Sequence, residues 1–192
     1  MTGFLSDPPY ADEIGGVRWL GPTSSWTEHA ARGAEFHLGF GSTIGRRRWA
    51  DAILGGGGRL ASIVHPAAVI AASAQIGVGA FVAASATLAS GAAIGTAAIV
   101  NHGAVVEHDS RIGAYALVGP AFACGGRVTL EEGVMAGVGS RVVPDAKIAR
   151  WCWLGAGAVV TRDTAPHGLY AGVPARRIRD LGTDAAPMEP TK

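Results

Sequence analysis

The chain is poor in charge and in cysteine, and each shortage excludes a class of protein. Only 16% of its 192 residues are charged and the net charge is +1, so we expect neither a nucleic acid nor an anionic membrane as its partner. Two cysteines, Cys124 and Cys152, are too few for a disulfide framework and fit a reducing compartment. The first residues lack the basic and apolar segments of a signal peptide, which predicts a cytoplasmic protein.

The most pronounced shortage is local, because no Asp, Glu, Lys or Arg occurs from residue 60 to residue 106. A membrane-spanning helix does not account for this stretch. It is rich in alanine rather than leucine, and Gly, Ser, Gln, Asn and a His-Pro pair interrupt it. We therefore expect a soluble protein without membrane insertion.

A six-residue period explains the uncharged stretch. Every sixth residue from Val64 to Val160 is apolar, and every sixth residue from Ala68 to Ala158 is mostly small. This period fits neither an α-helix nor a simple strand alternation and is typical of hexapeptide-repeat β-helices. The pattern predicts a mainly β protein in which aliphatic side chains fill the interior and small residues allow the turns. Cys124 and Cys152 fall in these columns and are expected to be buried.

The first part of the chain has a different pattern. We expect strands at "TGFLSD", "VRWLG" and "AEFHLGF", and helices at "PTSSWTEHAARG" and "STIGRRRWADAILGGGG". Alternating strands and helices imply a small parallel α/β unit. The predicted domains are this unit at 1–58, the β-helix at 59–165, and a C-terminal loop and tail at 166–192.

The segment 101–113, "NHGAVVEHDSRIG", brings the first charges after the uncharged stretch. His102 and His108 each follow an aliphatic residue by two positions, outside both inward columns, so we expect both imidazoles outside the core. Asp109 can accept a hydrogen bond from one ring nitrogen of His108 and fix the tautomer of the other. Glu107 is the competing acceptor.

The six-residue period and "NHGAVVEHDSRIG" together resemble the left-handed β-helix acyltransferases. More narrowly, they resemble the bacterial sugar acetyltransferases, which include nucleotide-amino-sugar N-acetyltransferases and sialic acid O-acetyltransferases. "IVHPAAVI" at 63–70 is similar to the family's entry into the first coil, and "YAGVPARRI" at 170–178 to its closing loop. The resemblance implies homotrimers with active sites between subunits. It also implies acetyl transfer from acetyl-CoA to a nucleotide-linked amino sugar, with neither a metal nor a covalent enzyme intermediate.

The resemblance also implies roles for individual residues. His108 occupies the place of the family's catalytic base, and Asp109, with Glu107 as its competitor, is the candidate for the acid that orients it. Acetyl-CoA is expected near the backbone of Gly126, Gly137 and Gly155, with Arg176 at its phosphates. The substrate-binding candidates are Asp7, Gly41, Ser42, Asn101, His102 and Leu117.

This chain departs from the family pattern in two places. The family's first strand and glycine-rich turn have no counterpart, because Met1 falls just before the second strand. We expect a shortened N-terminal domain, produced by a deletion or by a late start codon. Leu117 stands where the relatives have a second histidine, nine residues after the base, which leaves the acyl carbonyl to backbone amides. His102 is expected as a pocket wall or a trimer contact.

Three other functions are alternatives for this sequence. An O-acetyltransferase acting on a sugar hydroxyl or another small acceptor remains open. A γ-class carbonic anhydrase would need three zinc-binding histidines in equal register, but His65 follows its aliphatic residue by one position whereas His102 and His108 follow by two. A non-catalytic structural or ice-binding β-helix would show an outward threonine column, and none is present in the sequence.

Overall fold

The computed structural model describes residues 2–7 and 11–182. Its N-terminal part contains two helices and five short strands. These elements are β1 (Phe4–Leu5), β2 (Glu13–Ile14), β3 (Val17–Gly21), a 3₁₀ turn (Thr23–Ser25), α1 (Trp26–Ala31), β4 (Glu35–Phe36), α2 (Thr43–Gly55) and β5 (Arg59–Leu60). Among the described residues, no helix has the length and apolar character needed to cross a membrane.

From residue 63 onward, two-residue strands follow one another every six residues and form three parallel sheets. Face A contains β6 (Ile63–Val64), β9 (Phe81–Val82), β12 (Ile99–Val100), β15 (Leu117–Val118), β18 (Met135–Ala136) and β21 (Trp153–Leu154). Face B contains β7 (Val69–Ile70), β10 (Thr87–Leu88), β13 (Val105–Val106), β16 (Ala123–Cys124), β19 (Arg141–Val142) and β22 (Val159–Val160). Face C contains β8 (Gln75–Ile76), β11 (Ala93–Ile94), β14 (Arg111–Ile112), β17 (Thr129–Leu130) and β20 (Lys147–Ile148).

Each strand pairs with the strand 18 residues further along the chain, as Thr87 pairs with Val105. One coil therefore consists of three hexapeptides, and the faces follow one another in the order A, B, C. The second residue of each strand points inward, and Leu88, Val106 and Leu130 are at most 1% exposed. The predicted parallel β-helix is confirmed, and so is the burial of Cys124 and Cys152.

The turns between strands have one residue in six with a positive φ. Glycine occupies several of these positions, but Asp109, Arg127 and Asp145 adopt the same conformation, with φ of 58°, 59° and 65°. A residue with a Cβ is disfavoured there, so glycine propensity alone does not decide which residues occupy the corners.

The N-terminal unit consists of two small sheets. β3 pairs in parallel with β1 and antiparallel with β2, and β4 pairs in parallel with β5. The predicted strands and helices are present, but the β2–β3 hairpin was not expected. Its turn is made by Gly15 and Gly16, which both have a positive φ. β5 starts at residue 59, so the strand that completes this unit lies just beyond the predicted boundary.

The C-terminal segment, expected to be a loop and tail, contains two strands. β23 (Gly168–Ala171) pairs in parallel with β21, and β24 (Arg176–Asp180) pairs antiparallel with β23. This hairpin covers the edge that face A would otherwise expose. The rest of the predicted tail, residues 183–192, lies outside the described residues.

Candidate active site

The turns between faces form three corners that position the candidate residues. We name them by the faces that they join. The AB corner comprises residues 65–68, 83–86, 101–104, 119–122, 137–140 and 155–158. The BC corner comprises 71–74, 89–92, 107–110, 125–128 and 143–146. The CA corner comprises 77–80, 95–98, 113–116, 131–134 and 149–152.

His108 lies on the BC corner with Asp109 against its ring. Nδ1 of His108 is 2.9 Å from Oδ2 of Asp109. The Glu107 carboxylate instead accepts from the backbone N–H of His108, at 3.3 Å. Asp109 is therefore the ring's partner, and because a carboxylate only accepts, it holds the proton on Nδ1 and leaves the lone pair on Nε2. The His108 side chain is about half exposed, at 48%.

Gly126 lies one coil beyond His108 and directly beneath its ring. A Cβ at Gly126 would be 2.3 Å from Nε2 of His108, so only glycine leaves room for the imidazole in this position. The Gly126 N–H donates no backbone hydrogen bond to the described residues. Among the described residues, this N–H is therefore not used by a backbone carbonyl. The predicted contact of Gly126 with acetyl-CoA stays a prediction.

His102 lies on the AB corner and has an amide as its partner. Oδ1 of Asn101 accepts from the backbone N–H of His102 at 2.8 Å and lies 2.8 Å from Nδ1 of the same residue. Asn101 thus orients the His102 ring much as Asp109 orients that of His108, but without a negative charge.

The other two glycines predicted to contact acetyl-CoA lie on the AB corner. A Cβ at Gly137 would be 2.8 Å from both Ala156 N and Leu154 O, and one at Gly155 would be 3.1 Å from Ala171 Cβ. Close approach of the neighbouring coil or hairpin therefore accounts for glycine at both positions. In a single chain they do not meet Gly126, and their contact with acetyl-CoA stays a prediction.

The loop before α2 brings Gly41 and Ser42 to face A. A Cβ at Gly41 would be in ordinary contact with Leu117, at 3.7 Å. Oγ of Ser42 accepts from the backbone N–H of Gly45 at 3.0 Å and caps α2. The structure therefore brings Gly41 together with Leu117, as neighbouring candidates for the acceptor site.

Arg46 holds this loop in place, and its role was not predicted from the sequence. It is 1% exposed, and its guanidinium donates only to backbone carbonyls. The acceptors are the oxygens of Phe40, Gly41, Ala97, Tyr115 and Ala116. Burial lowers the pKa of Arg46 to about 10, so it remains charged at neutral pH. Arg46 lies on the buried face of α2 together with Thr43, Ala50 and Ile53. These residues are three or four positions apart, a helical spacing that can be recognised in the sequence.

Asp7 has a partner within the N-terminal unit. Its Oδ2 accepts from the backbone N–H of Thr23 at 3.1 Å and also from the Thr23 hydroxyl. The carboxylate therefore stabilises the 3₁₀ turn at this position. Its predicted contact with the substrate stays a prediction.

Arg176 lines a cavity of about 230 Å³ at the C-terminal end of the β-helix, together with Arg162 and Arg177. Arg176 donates to the carbonyl of its neighbour Ala175 at 2.9 Å, and Arg177 pairs with Asp180 at 2.9 Å. Arg162 was not predicted. It continues the column of His108 and Gly126 along the BC edge, three coils beyond His108.

A zinc site of the anhydrase type is not formed by the described residues. Within 2–7 and 11–182, no three His, Cys, Asp or Glu side chains are placed to hold a metal ion. His65, His102 and His108 therefore do not converge. Instead, Nδ1 of His65 accepts from the backbone N–H of Ala67 at 3.0 Å.

Comparison with known proteins identifies acetyltransferases. No protein-family model matches the chain. A structure of perosamine N-acetyltransferase from Caulobacter crescentus with CoA and GDP-perosamine is 34% identical, with a TM-score of 0.86, over 91% of this chain and 83% of that one. The acetyltransferase domain of PglB from Neisseria gonorrhoeae is 26% identical, also with a TM-score of 0.86, over 92% and 86% of the two chains.

A more distant match is to serine acetyltransferase from Salmonella typhimurium. It is 38% identical over 60 residues, which are 31% of this chain and 22% of that enzyme. The chain thus spans about a fifth of the length of this curated relative.

Proposed function

Because the chain belongs to the family of perosamine N-acetyltransferase, whose members are left-handed parallel β-helix acetyltransferases, we propose that it acetylates an amino sugar carried on a nucleotide. The donor is acetyl-CoA and the acceptor atom is the sugar amine. The observation that carries this proposal is the His108–Asp109 pair, whose Nε2 lies over Gly126 on an open corner of the β-helix. We place the reaction in the cytoplasm, where acetyl-CoA and nucleotide sugars are both available.

His108 is the proposed general base. The acceptor nitrogen attacks the thioester carbonyl carbon, the C–N bond forms, and the proton that nitrogen loses moves to Nε2 of His108. The C–S bond breaks, and the protonated ring returns this proton to the departing sulfur. Asp109 stabilises the imidazolium between the two transfers, because its carboxylate is 2.9 Å from Nδ1.

The negative charge that develops on the carbonyl oxygen needs a donor. Leu117 cannot supply one, and it lies on face A rather than beside His108. Gly126 packs against Nε2 of His108, and its N–H makes no backbone hydrogen bond with the described residues. We assign the oxyanion to this amide, since backbone N–H groups commonly fill this role.

The acetyl-CoA path follows the BC corner towards the C-terminal cavity. Three coils separate His108 from Arg162, which at the usual strand spacing is about 14 Å along the axis. An extended pantetheine arm covers such a distance. With the thioester at His108, the phosphates reach the cavity where Arg162, Arg176 and Arg177 supply positive charge.

The active site requires a second copy of the chain. In a three-sided prism the BC corner, with His108, lies opposite face A, where Gly41 and Leu117 meet. One chain therefore cannot bring its own base to its own acceptor loop. We propose a homotrimer in which the BC corner of one subunit faces the acceptor loop of the next.

The outward residues of the faces favour such an assembly. On face A they are apolar, and the chain's own N-terminal unit covers them only in part, at Phe81 and Leu117. These residues are Ile63, Phe81, Ile99, Leu117, Met135 and Trp153. On face C they include Gln75, Arg111, Thr129 and Lys147, which suit solvent. Apolar stripes of this kind mark contact surfaces. Light scattering should give about three times 19.4 kDa, and a monodisperse monomer at micromolar concentration would contradict both the trimer and the shared site.

The activity test measures thiol release from acetyl-CoA with a panel of acceptors. Nucleotide-linked amino sugars should react fastest, with free amino sugars, sugar hydroxyls and amino acids as the comparison. Faster reaction with a hydroxyl acceptor would establish the O-acetyltransferase instead. Pre-treatment with a chelator should leave the rate unchanged, because His108 supplies the base; loss of activity with removal of stoichiometric zinc would overturn this mechanism.

A further inference from the structure

Three charged side chains form a column beside His108. Asp109, Arg127 and Asp145 occupy equivalent positions of the BC corner in consecutive coils, because the strands of face C that follow them pair in register. All three have the same left-handed backbone conformation. Their side chains therefore leave the backbone in similar directions, with about 4.8 Å between coils. A cation thus stands midway between two carboxylates.

Arg127 pairs with only one of these carboxylates. Its Nε is 2.6 Å from Oδ1 of Asp145, and a terminal nitrogen is 2.9 Å from Oδ2. Asp109 binds the His108 ring instead. Hydrogen bonds and charge from Asp145 raise the pKa of Arg127, and Asp109 contributes to the same shift. The Arg127 guanidinium therefore interacts electrostatically with both carboxylates but forms hydrogen bonds only with Asp145.

Stability does not explain the pair. The side chains of Arg127 and Asp145 are 55% and 63% exposed, and ion pairs this open contribute little to folding. The position of the Arg127–Asp145 pair instead suggests a role at the active site. The backbone N–H of Arg127 donates to the His108 carbonyl at 2.9 Å, and that of Asp145 donates to the Gly126 carbonyl at 3.0 Å. The pair is thus built on the backbone that carries the proposed base and the glycine beneath it.

We propose that Asp145 is a positioning residue that occupies Arg127 and so leaves Asp109 to His108. A bidentate guanidinium–carboxylate pair is stronger and more directional than a single hydrogen bond to an imidazole. Without Asp145, the nearest carboxylate for Arg127 in the column is Asp109. Its capture would remove the acceptor that fixes the His108 ring. This inference rests on the proposed role of His108.

The kinetic test uses a pair of single variants and their combination. Asp145→Ala should lower kcat about tenfold, a coupling of ordinary size for neighbouring charged groups, and leave the KM for acetyl-CoA nearly unchanged. Arg127→Ala should keep near-normal turnover, because it removes the competitor. The double variant should recover most of the lost turnover. Alanine suits the backbone at this position, since Ala97 and Ala121 have the same conformation in other turns.

A matched control breaks another ion pair between neighbouring coils of the prism. Lys147 and Glu131 are joined at 2.7 Å, but they contact neither His108 nor Asp109. Glu131→Gln should leave kcat within about twofold of the parent protein. If Asp145→Ala kept full turnover, or if the double variant were as slow as Asp145→Ala, Asp145 would not act through Arg127.

A second readout does not depend on catalysis. In protein with ¹⁵N-labelled histidine, His108, assigned by its loss in His108→Ala, should be protonated on Nδ1 in its neutral form. Asp145→Ala should shift this ring toward a mixture of tautomers, and the double variant should restore the original pattern. An unchanged ring in Asp145→Ala would overturn the positioning role. If the tautomer pattern behaved as expected in a protein without acetyltransferase activity, the positioning role would stand and the proposed function would fall.

Discussion

The two histidine corners of one coil are alike in geometry and differ in charge. His102 and His108 are six residues apart, each just before a turn residue with positive φ, and each has an oxygen within 3 Å of Nδ1. At His102 the oxygen belongs to the neutral Asn101, and at His108 to the anionic Asp109. Both partners fix a ring, but only a carboxylate also stabilises an imidazolium. Under the proposed roles, the charge of the partner, and not the orientation of the ring, is what distinguishes His108 from His102.

Replacing His108 with alanine should produce the largest effect. Removing a general base typically costs about 10²–10⁴ in kcat, and the KM for acetyl-CoA should change little, because its proposed contacts lie elsewhere on the corner. Near-normal turnover in His108→Ala, together with an inactive His102→Ala, would reverse the assignment of the two corners.

Gly126→Ala should produce the second-largest loss of kcat. The added Cβ would lie 2.3 Å from Nε2, so the ring must move, and misplacing a reacting group by about 1 Å can cost about 10²-fold. Steady-state kinetics should show the loss in kcat. Gly55→Ala is the control, because a Cβ there meets nothing within 4 Å. If Gly126→Ala retained full activity, the ring could not act from the position seen in the structure.

Asp109→Asn makes the His108 corner resemble the His102 corner. The amide keeps an acceptor near Nδ1 but loses the charge, so kcat should fall about tenfold, or about 1.4 kcal/mol of transition-state stabilisation. Glu107→Gln is the matched control, since the Glu107 carboxylate accepts from the backbone N–H of His108 rather than from its ring. A larger loss of kcat in Glu107→Gln than in Asp109→Asn would show that Glu107, and not Asp109, is the functional partner of the His108 ring.

The opposite exchange should have the smallest effect. Asn101→Asp gives His102 a carboxylate, and we expect less than about twofold change in turnover, because charge cannot bring the AB corner to the BC corner of the same chain. His102→Ala should likewise cost far less than His108→Ala. Rescue of His108→Ala by Asn101→Asp would show that the two corners are interchangeable.

Sequence patterns predicted the β-helix, because it rests on local, repeated spacing. They also placed two acids next to His108, but only the structure shows that Asp109, rather than Glu107, lies against the ring. A six-residue period shows which side chains point inward, but it does not state how many faces make a coil. Without the 18-residue register the stacking of His108 on Gly126, or of Arg127 on Asp145, is invisible. Arg46 was missed for another reason. Its partners are backbone carbonyls up to 70 residues away, and because every residue has a backbone carbonyl, the sequence does not show which of them will accept a hydrogen bond.

The C-terminal hairpin was missed because "YAGVPARRI" at 170–178 was interpreted as a loop from its resemblance to the family's closing loop. The open edge of β21 nevertheless offers unpaired backbone groups, and β23 satisfies them. The unpaired backbone groups of β21, rather than the strand propensity of residues 168–171, therefore account for β23.

Because of the 18-residue register, the length of an insertion or deletion in the β-helix determines on which edge the downstream residues lie. Adding 18 residues between Gly126 and Arg162 would lengthen the prism by one coil, about 4.8 Å, and keep both residues on the same edge. Adding six would rotate everything downstream by one face and move Arg162 away from the edge that carries His108. Length variants of this protein should therefore keep Arg162 on the edge of His108 when they change by whole coils, and lose this alignment with any other multiple of six.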